Sequence, residues 1–224
     1  MIKFTIITLF QEALEPYLNT SMMWKAKEKG LAEFEFVNLR DYGLGPHKSV
    51  DDTPYGGGDG MLLRCEPVYT AIEEIKAKDP DAIVILPTPA GALWTQKKAT
   101  EFSARENAHY VILCPHYEGY DERILDLIDY QICLGPYVLT GGELPALIMI
   151  DSITRLIPGV LGGETSAEIE SFSDGLNIEY PQYTKPYDFR GKTVPDILLS
   201  GNHGEVDKWR AEHTKTPEWE IKNA

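Results

Sequence analysis

Residues 137–145 read YVLTGGELP and run directly into the apolar stretch ALIMIDSI. The glycine pair Gly141-Gly142 follows a strand-like run and opens a helix predicted over Glu143–Leu156, which is apolar almost all round. A helix of that kind is buried between layers or against another subunit. Adjacent glycines let backbone groups approach a ligand closely, and ligands of open α/β sheets collect at strand-to-helix turns. This segment therefore predicts an α/β protein with a ligand site at the glycine pair.

Strand-like and helical patterns alternate along the first two thirds of the chain. The predicted strands are Phe4–Leu9, Phe34–Leu39, Ala82–Leu86, Tyr110–Cys114 and Gln131–Leu134, and the predicted helices between them are Ala13–Lys29, Pro67–Lys78, Thr95–Ala104 and Asp121–Ile128. Alternation of this kind is typical of a largely parallel sheet with helices on both faces. After Ile157 a Gly-, Pro- and Ser-rich connection extends to about Pro186, and a short helix is predicted over Gly204–His213.

Composition limits the classes of function. The chain has 21 Lys and Arg against 35 Asp and Glu, a net charge of −14, which by itself disfavours a nucleic-acid partner. The charge is uneven, because residues 176–224 hold seven basic and eight acidic side chains, leaving 14 against 27 for the rest. Three cysteines without a C-x-x-C spacing argue against a disulfide framework or a zinc site. No apolar run reaches the roughly 18 residues of a membrane span, and we expect a cytoplasmic protein.

Loops that follow predicted strands carry the candidate binding groups. No G-x-x-x-x-G-K-[ST] or G-x-G-x-x-G motif is present, so a phosphate loop or a dinucleotide fold is not indicated. Glu118, in the loop after the fourth strand, could accept hydrogen bonds from a ribose or an amine. Asp121 is better explained as a helix cap, and His116 as an incidental loop histidine.

Further charged residues lie near the end of the apolar helix. Arg155 has two readings, an i,i+4 ion pair with Asp151 or an anion-binding group at the helix end. Glu168 and Glu170 are loop carboxylates, which on residue type alone indicate no function.

Five segments, in order along the chain, resemble the bacterial tRNA (guanine-37-N1)-methyltransferases. They are Asp52–Met61, Tyr117–Arg123, Tyr137–Pro145, Ile157–Gly162 and Leu198–His203 followed by Trp209 and Arg210. The resemblance runs from Ile2 to about Arg210. It implies an α/β fold in which a parallel sheet carries a C-terminal trefoil knot of the SPOUT class, with a small, mostly helical C-terminal domain. The implied boundaries are a knotted cofactor-binding domain over 1–160, a linker over 161–175 and a shortened tRNA-binding domain over 176–224.

The resemblance also implies ligands and site residues. The family binds S-adenosyl-L-methionine, uses magnesium, acts on tRNA and forms a homodimer. The positions implied for the cofactor are Thr88, Pro89, Pro115, Glu118, Leu134, Gly135, Pro136, Tyr137, Val138, Leu139, Gly141, Gly142 and Pro145. The implied catalytic pair is Arg155 with Glu170, where Glu170 stands in place of the family's usual aspartate. No magnesium ligand is implied for a particular residue.

Two alternatives to guanine-37 methylation remain open at the level of sequence. One is a related knotted methyltransferase that acts on another RNA position. The other is a catalytically silent tRNA-binding protein.

Overall fold

The computed structural model describes residues 1–163 and 169–218. The chain divides into two compact units, Met1–Gly162 and Gly163–Ala224, and each is described by itself. Part of the expected linker, including Glu168, and the end of the expected C-terminal domain after residue 218 lie outside the described residues.

The N-terminal unit is built on a five-stranded parallel sheet, as the alternation of strands and helices predicted. Its elements in chain order are β1 (Ile2–Thr8), α1 (Gln11–Leu18), α2 (Ser21–Glu28), β2 (Ala32–Asn38), β3 (Asp51–Asp52), β4 (Leu62–Leu63), α3 (Cys65–Lys78), β5 (Ile83–Leu93), α4 (Gln96–Ser103), β6 (His109–Leu113), β7 (Tyr130–Cys133) and α5 (Glu143–Thr154). The strand order is β2-β1-β6-β5-β7, while β3 and β4 form a separate short antiparallel pair. Leu39–Tyr42 and Glu122–Leu127 are 3-10 helices.

Both faces of the sheet are buried, which explains why residues 110–113 of β6 and 83–86 of β5 are apolar in succession. On β6, Tyr110 and Ile112 point into a core shared with α1, α2, α4 and α5. The intervening Val111 and Leu113 point into a second core, shared with α3 and the two 3-10 helices. The unit therefore has three layers, with the sheet in the middle.

The single helix predicted over Ala13–Lys29 is wrong, because the chain forms two helices there. Thr20 has an extended backbone and Ser21 has a φ of +51°. The Asn19 amide donates to the Glu15 carbonyl and the Thr20 hydroxyl donates to the Tyr17 carbonyl, at 3.0 and 2.9 Å. The backbone N–H groups of Asn19 and Thr20 donate to the same two carbonyls at 3.1 Å, so both residues close the last turn of α1 with backbone and side chain together.

The strand predicted over Ala82–Leu86 is longer than expected. β5 continues to Leu93, past Pro87 and Pro89, with a register shift against β7 between Pro87 and Ala92. Proline in a strand ordinarily marks an end or an irregularity, and here it marks an irregularity. The extension carries Thr88 and Pro89 along the edge where β6 and β7 end.

The C-terminal unit contains little regular structure in its described part. Its elements are β8 (Asp188–Phe189), β9 (Lys192–Thr193), a 3-10 helix over Asp196–Leu199 and α6 (His203–His213). Asn202 caps α6 by accepting from the Glu205 N–H. Ile178 and Lys215 exchange both backbone hydrogen bonds, which ties the connection before β8 to the segment after α6.

Candidate functional site

A pocket lies in the N-terminal unit, where the carboxyl ends of β6 and β7 and the extension of β5 meet. It encloses about 250 Å³. Of the residues expected to bind a cofactor, all but Pro136 line this pocket: Thr88, Pro89, Pro115, Glu118, Leu134, Gly135, Tyr137, Val138, Leu139, Gly141, Gly142 and Pro145. The lining also includes His116, Tyr117, Tyr120 and Thr140, which sequence reasoning did not select.

The loop after β6 and the start of α5 are in direct contact at the pocket wall. The Gly142 N–H donates to the Pro115 carbonyl at 2.8 Å. A Cβ on Gly142 would lie 2.4 Å from the Pro115 Cδ and 2.7 Å from the Cys114 Cα. Only glycine fits here. The absence of a Cβ at Gly142 lets the start of α5 approach the chain at Cys114 and Pro115.

The Cβ position of Gly141 faces two side chains. A Cβ on Gly141 would lie 2.4 Å from Glu143 Oε2 and 2.5 Å from His116 Nδ1. We expected both glycines to admit a ligand to the backbone. At Gly141 the adjacent space is filled by the facing ends of Glu143 and His116.

The segment 117–121 is hydrogen-bonded to the chain at Met61 and Leu63. The Glu118 N–H donates to the Met61 carbonyl at 3.0 Å, and the Leu63 N–H donates to the Gly119 carbonyl at 2.9 Å. The Tyr120 hydroxyl donates to Thr88 Oγ1 at 3.1 Å. Met61 and Leu63 therefore help to hold the segment that forms this part of the pocket wall.

Asp121 is a helix cap, as expected. Its side chain accepts from the Arg123 N–H, and the guanidinium of Arg123 donates to both carboxylate oxygens at 2.8 and 2.6 Å. The hydrogen bond from Arg123 lowers the pKa of Asp121 below its ordinary value. The charge of Asp121 is thus engaged at the start of the 3-10 helix.

A carboxylate that sequence reasoning missed sits behind the pocket. Glu143, in the first turn of α5, has a side chain only 13% exposed, and its Oε1 accepts from the Thr8 hydroxyl at 2.9 Å. Its Oε2 lies 3.7 Å from His116 Nδ1. Burial, and secondly the Glu143 charge, raise the pKa of the neighbouring Cys114 thiol well above its ordinary value. Only the adjacency of Glu143 to the glycine pair could have indicated it from sequence.

The two expected catalytic residues lie in different compact units. Arg155 ends α5, is half-buried, and donates its backbone N–H to the Asp151 carbonyl at 3.0 Å. The Asp151 carboxylate accepts from the Tyr17 hydroxyl. Glu170 is half-buried in the C-terminal unit, where its carbonyl accepts from the Ser173 N–H at 3.1 Å.

Within the described residues, no group of three or more His, Cys, Asp or Glu side chains is arranged to hold a metal ion. Over the same part of the chain, no helix combines the length and apolarity needed to cross a membrane.

The fold and the pocket together define an α/β protein with a pocket at the carboxyl edge of a parallel sheet, the place where such folds hold small ligands. A sequence model of the family described as tRNA (guanine-1)-methyltransferase TrmD matches residues 2–222. The chain is 51% identical over 209 residues to a tRNA (guanine-N(1)-)-methyltransferase of Citrifermentans bemidjiense, which covers 93% of this chain and 83% of that protein. Proteins of the same description from Halalkalibacterium halodurans and Staphylococcus aureus MRSA252 are 50% and 52% identical, over 95% and 94% of this chain and 86% and 84% of their own lengths. The chain belongs to the tRNA (guanine-1)-methyltransferase family.

Proposed function

We propose that this protein transfers a methyl group from S-adenosyl-L-methionine to N1 of the guanine that follows the anticodon in tRNA, position 37. The observation that carries the proposal is the convergence of β5, at Thr88 and Pro89, and of the loops after β6 and β7 on one pocket in a member of this family. Since its substrate is tRNA, we assign the reaction to the cytoplasm.

The pocket fits an adenosine-containing cofactor in its chemistry. Leu134, Leu139 and Pro89 supply apolar surface for a flat base, while Thr88 and Glu118 supply polar groups. Ligand sites of this kind combine an apolar lining with a few placed polar groups. A trefoil knot, which the family resemblance implies, would explain how these loops come together; we propose it on that ground.

When bound, the cofactor supplies a methyl group on a sulfonium that is already activated for transfer. The chain's own residues then have two tasks, to position guanine N1 and to remove its proton. We assign proton removal to the Glu170 carboxylate. A carboxylate with an ordinary pKa of about 4.3 is a weak base for that proton, and exclusion of water from a closed site would strengthen it.

We assign charge stabilisation to Arg155. As the N1 proton leaves, negative charge develops on guanine O6, and a guanidinium can donate to that oxygen or to a tRNA phosphate. Because Arg155 and Glu170 belong to different compact units, this assignment rests on the family resemblance and on their residue types. Magnesium, which the same resemblance implies, has no three-residue candidate site among the described residues, and we route no step through it.

We further propose a homodimer. Helix α5 buries Ala146, Met149 and Ile150 within its own unit, yet its Leu144 and Ile148 are 59% and 44% exposed. A second copy of the chain would cover that face, and a closed twofold pair is the commonest arrangement of identical subunits. We assign tRNA binding partly to the C-terminal unit, because residues 176–224 within it carry seven basic and eight acidic side chains in an otherwise acidic chain.

The test combines cofactor binding with transfer of label. Calorimetric titration with S-adenosyl-L-methionine should show binding, and protein incubated with methyl-labelled cofactor should label total tRNA. Binding of tRNA without cofactor binding would instead identify a catalytically silent tRNA-binding protein and overturn the proposal.

A further inference from the structure

We propose that Glu143 and His116 form a carboxylate–imidazole pair in the pocket wall, in which Glu143 accepts a hydrogen bond from Nδ1–H and so leaves Nε2 unprotonated, to accept a hydrogen bond from the bound methyl donor. This rests on the proposed function, since it assigns a new contact to the same pocket. His116 is then a binding residue, and Glu143 is a positioning residue that acts through it.

The orientation of Glu143 follows from the Thr8 hydroxyl. Thr8 Oγ1 accepts from the Phe10 N–H at 3.0 Å, so its own proton is directed to Glu143 Oε1 at 2.9 Å. Glu143 must therefore present an acceptor to Thr8. Its other oxygen, Oε2, is left facing His116.

The imidazole is held with one nitrogen turned away from solvent. His116 Nδ1 is buried and has no hydrogen-bond partner within the described part of the chain. Its ring packs against the rings of Phe10 and Tyr117, with centroids 4.8 and 5.6 Å away. The His116 side chain is nevertheless 25% exposed, so its exposed surface is on the rest of the ring.

A buried ring nitrogen without a partner requires an explanation. The nearest charged group is Glu143 Oε2 at 3.7 Å, a few tenths of an ångström beyond hydrogen-bond range. Gly141 provides the space in which the two atoms face each other, because a Cβ there would overlap both. A small rotation brings Nδ1–H to Oε2, and a carboxylate on one ring nitrogen fixes the tautomer of the other.

This pairing gives the pocket a hydrogen-bond acceptor at a defined atom, His116 Nε2. With the proton on Nδ1, Nε2 carries a lone pair, and His116 lines the pocket. The methyl donor and its demethylated product both carry suitable donors in the adenine amine, the ribose hydroxyls and the α-ammonium group. We expect one of these groups to donate to Nε2.

Two substitutions of His116 test the roles of its two ring nitrogens separately. In His116→Asn the amide nitrogen replaces Nδ1 and keeps the contact with Glu143, but nothing replaces Nε2. In His116→Gln the amide reaches the position of Nε2 instead. We expect S-adenosylhomocysteine to bind about three- to tenfold more weakly to the asparagine variant, as for loss of one hydrogen bond, and within about twofold of wild type to the glutamine variant. The exposed His47→Asn is the matched control and should bind as wild type does.

Glu143→Gln tests the positioning role. The glutamine oxygen must accept from Thr8, so its amide group would donate to Nδ1 and move the imidazole proton to Nε2. Nitrogen-15 NMR of the histidine ring should show Nδ1–H in the wild type and Nε2–H in this variant, with affinity for S-adenosylhomocysteine reduced as in His116→Asn and an unchanged unfolding temperature.

The NMR measurement does not depend on the cofactor. Failure of this inference can therefore be distinguished from failure of the proposed function. An Nε2–H tautomer in the wild type, or equal affinity of the asparagine variant and the wild type, would overturn the inference. Failure of the wild type itself to bind S-adenosylhomocysteine would overturn the proposed function, whatever the tautomer.

Discussion

Replacing Gly142 by alanine should loosen the contact between the loop after β6 and the start of α5. Gly142 has φ −83° and ψ −3°, which alanine adopts readily, so backbone strain does not enter. The added Cβ would instead lie 2.4 Å from the Pro115 Cδ and 2.9 Å from the Pro115 nitrogen, and the two segments must separate by about 1 Å to reach ordinary contact. That separation also lengthens the 2.8 Å hydrogen bond from the Gly142 N–H to the Pro115 carbonyl.

The loss of folding free energy can be worked out from these two effects. Overpacking costs about 1–3 kcal/mol and a lost hydrogen bond about 1 kcal/mol, which together give about 2–4 kcal/mol of destabilisation. In a protein of this size the unfolding temperature should fall by roughly 5–15 °C. Because both segments line the pocket, affinity for S-adenosylhomocysteine should fall by at least about tenfold, equivalent to about 1.4 kcal/mol.

Scanning calorimetry and calorimetric titration measure the two effects on the same samples. Gly162→Ala is the matched control, since a Cβ there has no atom within 4 Å among the described residues and its backbone needs no positive φ. If Gly142→Ala unfolds within about 1 °C of the wild type and binds with the same affinity, the backbone contact does not support the pocket.

Three other variants test separate parts of the account. Glu170→Gln should lower turnover by at least about a hundredfold in a single-turnover assay, with cofactor affinity nearly intact, whereas a change of only a few-fold would show that Glu170 is not the base. We expect Glu170→Gln and Gly141→Val to be inactive alone. If each site draws its pocket and its base from different subunits, co-expression of the two variants should restore about a quarter of wild-type sites. An inactive purified heterodimer would contradict that arrangement. Tyr110→Phe should cost about 1 kcal/mol in chemical denaturation, because it removes the buried 2.6 Å hydrogen bond to the Phe102 carbonyl, and it should leave turnover unchanged. Burial raises the pKa of Tyr110 to about 12, so folding stability should fall as the pH rises from about 10 through 12. If Tyr110→Phe loses stability equally steeply over that pH range, Tyr110 is not the cause of the loss.

The sheet could be predicted from sequence because parallel strands buried on both faces are apolar without interruption. Tyr110–Cys114 and Gln131–Leu134 differ from β6 and β7 by one residue at each end. The break in the first predicted helix could not be predicted in this way, because it depends on local bonds of Asn19 and Thr20 to the last carbonyls of α1 and on the positive φ of Ser21. The length of β5 depends on its pairing with β7, which two prolines concealed.

The pocket could be located because its segments follow the predicted strands of one parallel sheet, whose carboxyl ends share an edge, although the structure extends β5 through Thr88. Thr88, Pro115 and Gly142, far apart along the chain, line one pocket for that reason. Glu143 and His116 were missed as a pair because a carboxylate in a first turn is usually a dipole effect and a loop histidine is usually incidental. Their pairing depends on a three-dimensional contact at Gly141.

Methyl transfer to two tRNA transcripts that differ at one nucleotide tests the central claim most directly. One transcript carries guanine at position 37 and the other carries adenine there, and both are incubated with the protein and methyl-labelled S-adenosyl-L-methionine. The account predicts label only in the guanine transcript, recovered after digestion as 1-methylguanosine. Equal labelling of both transcripts, or label in any other nucleoside, would contradict it.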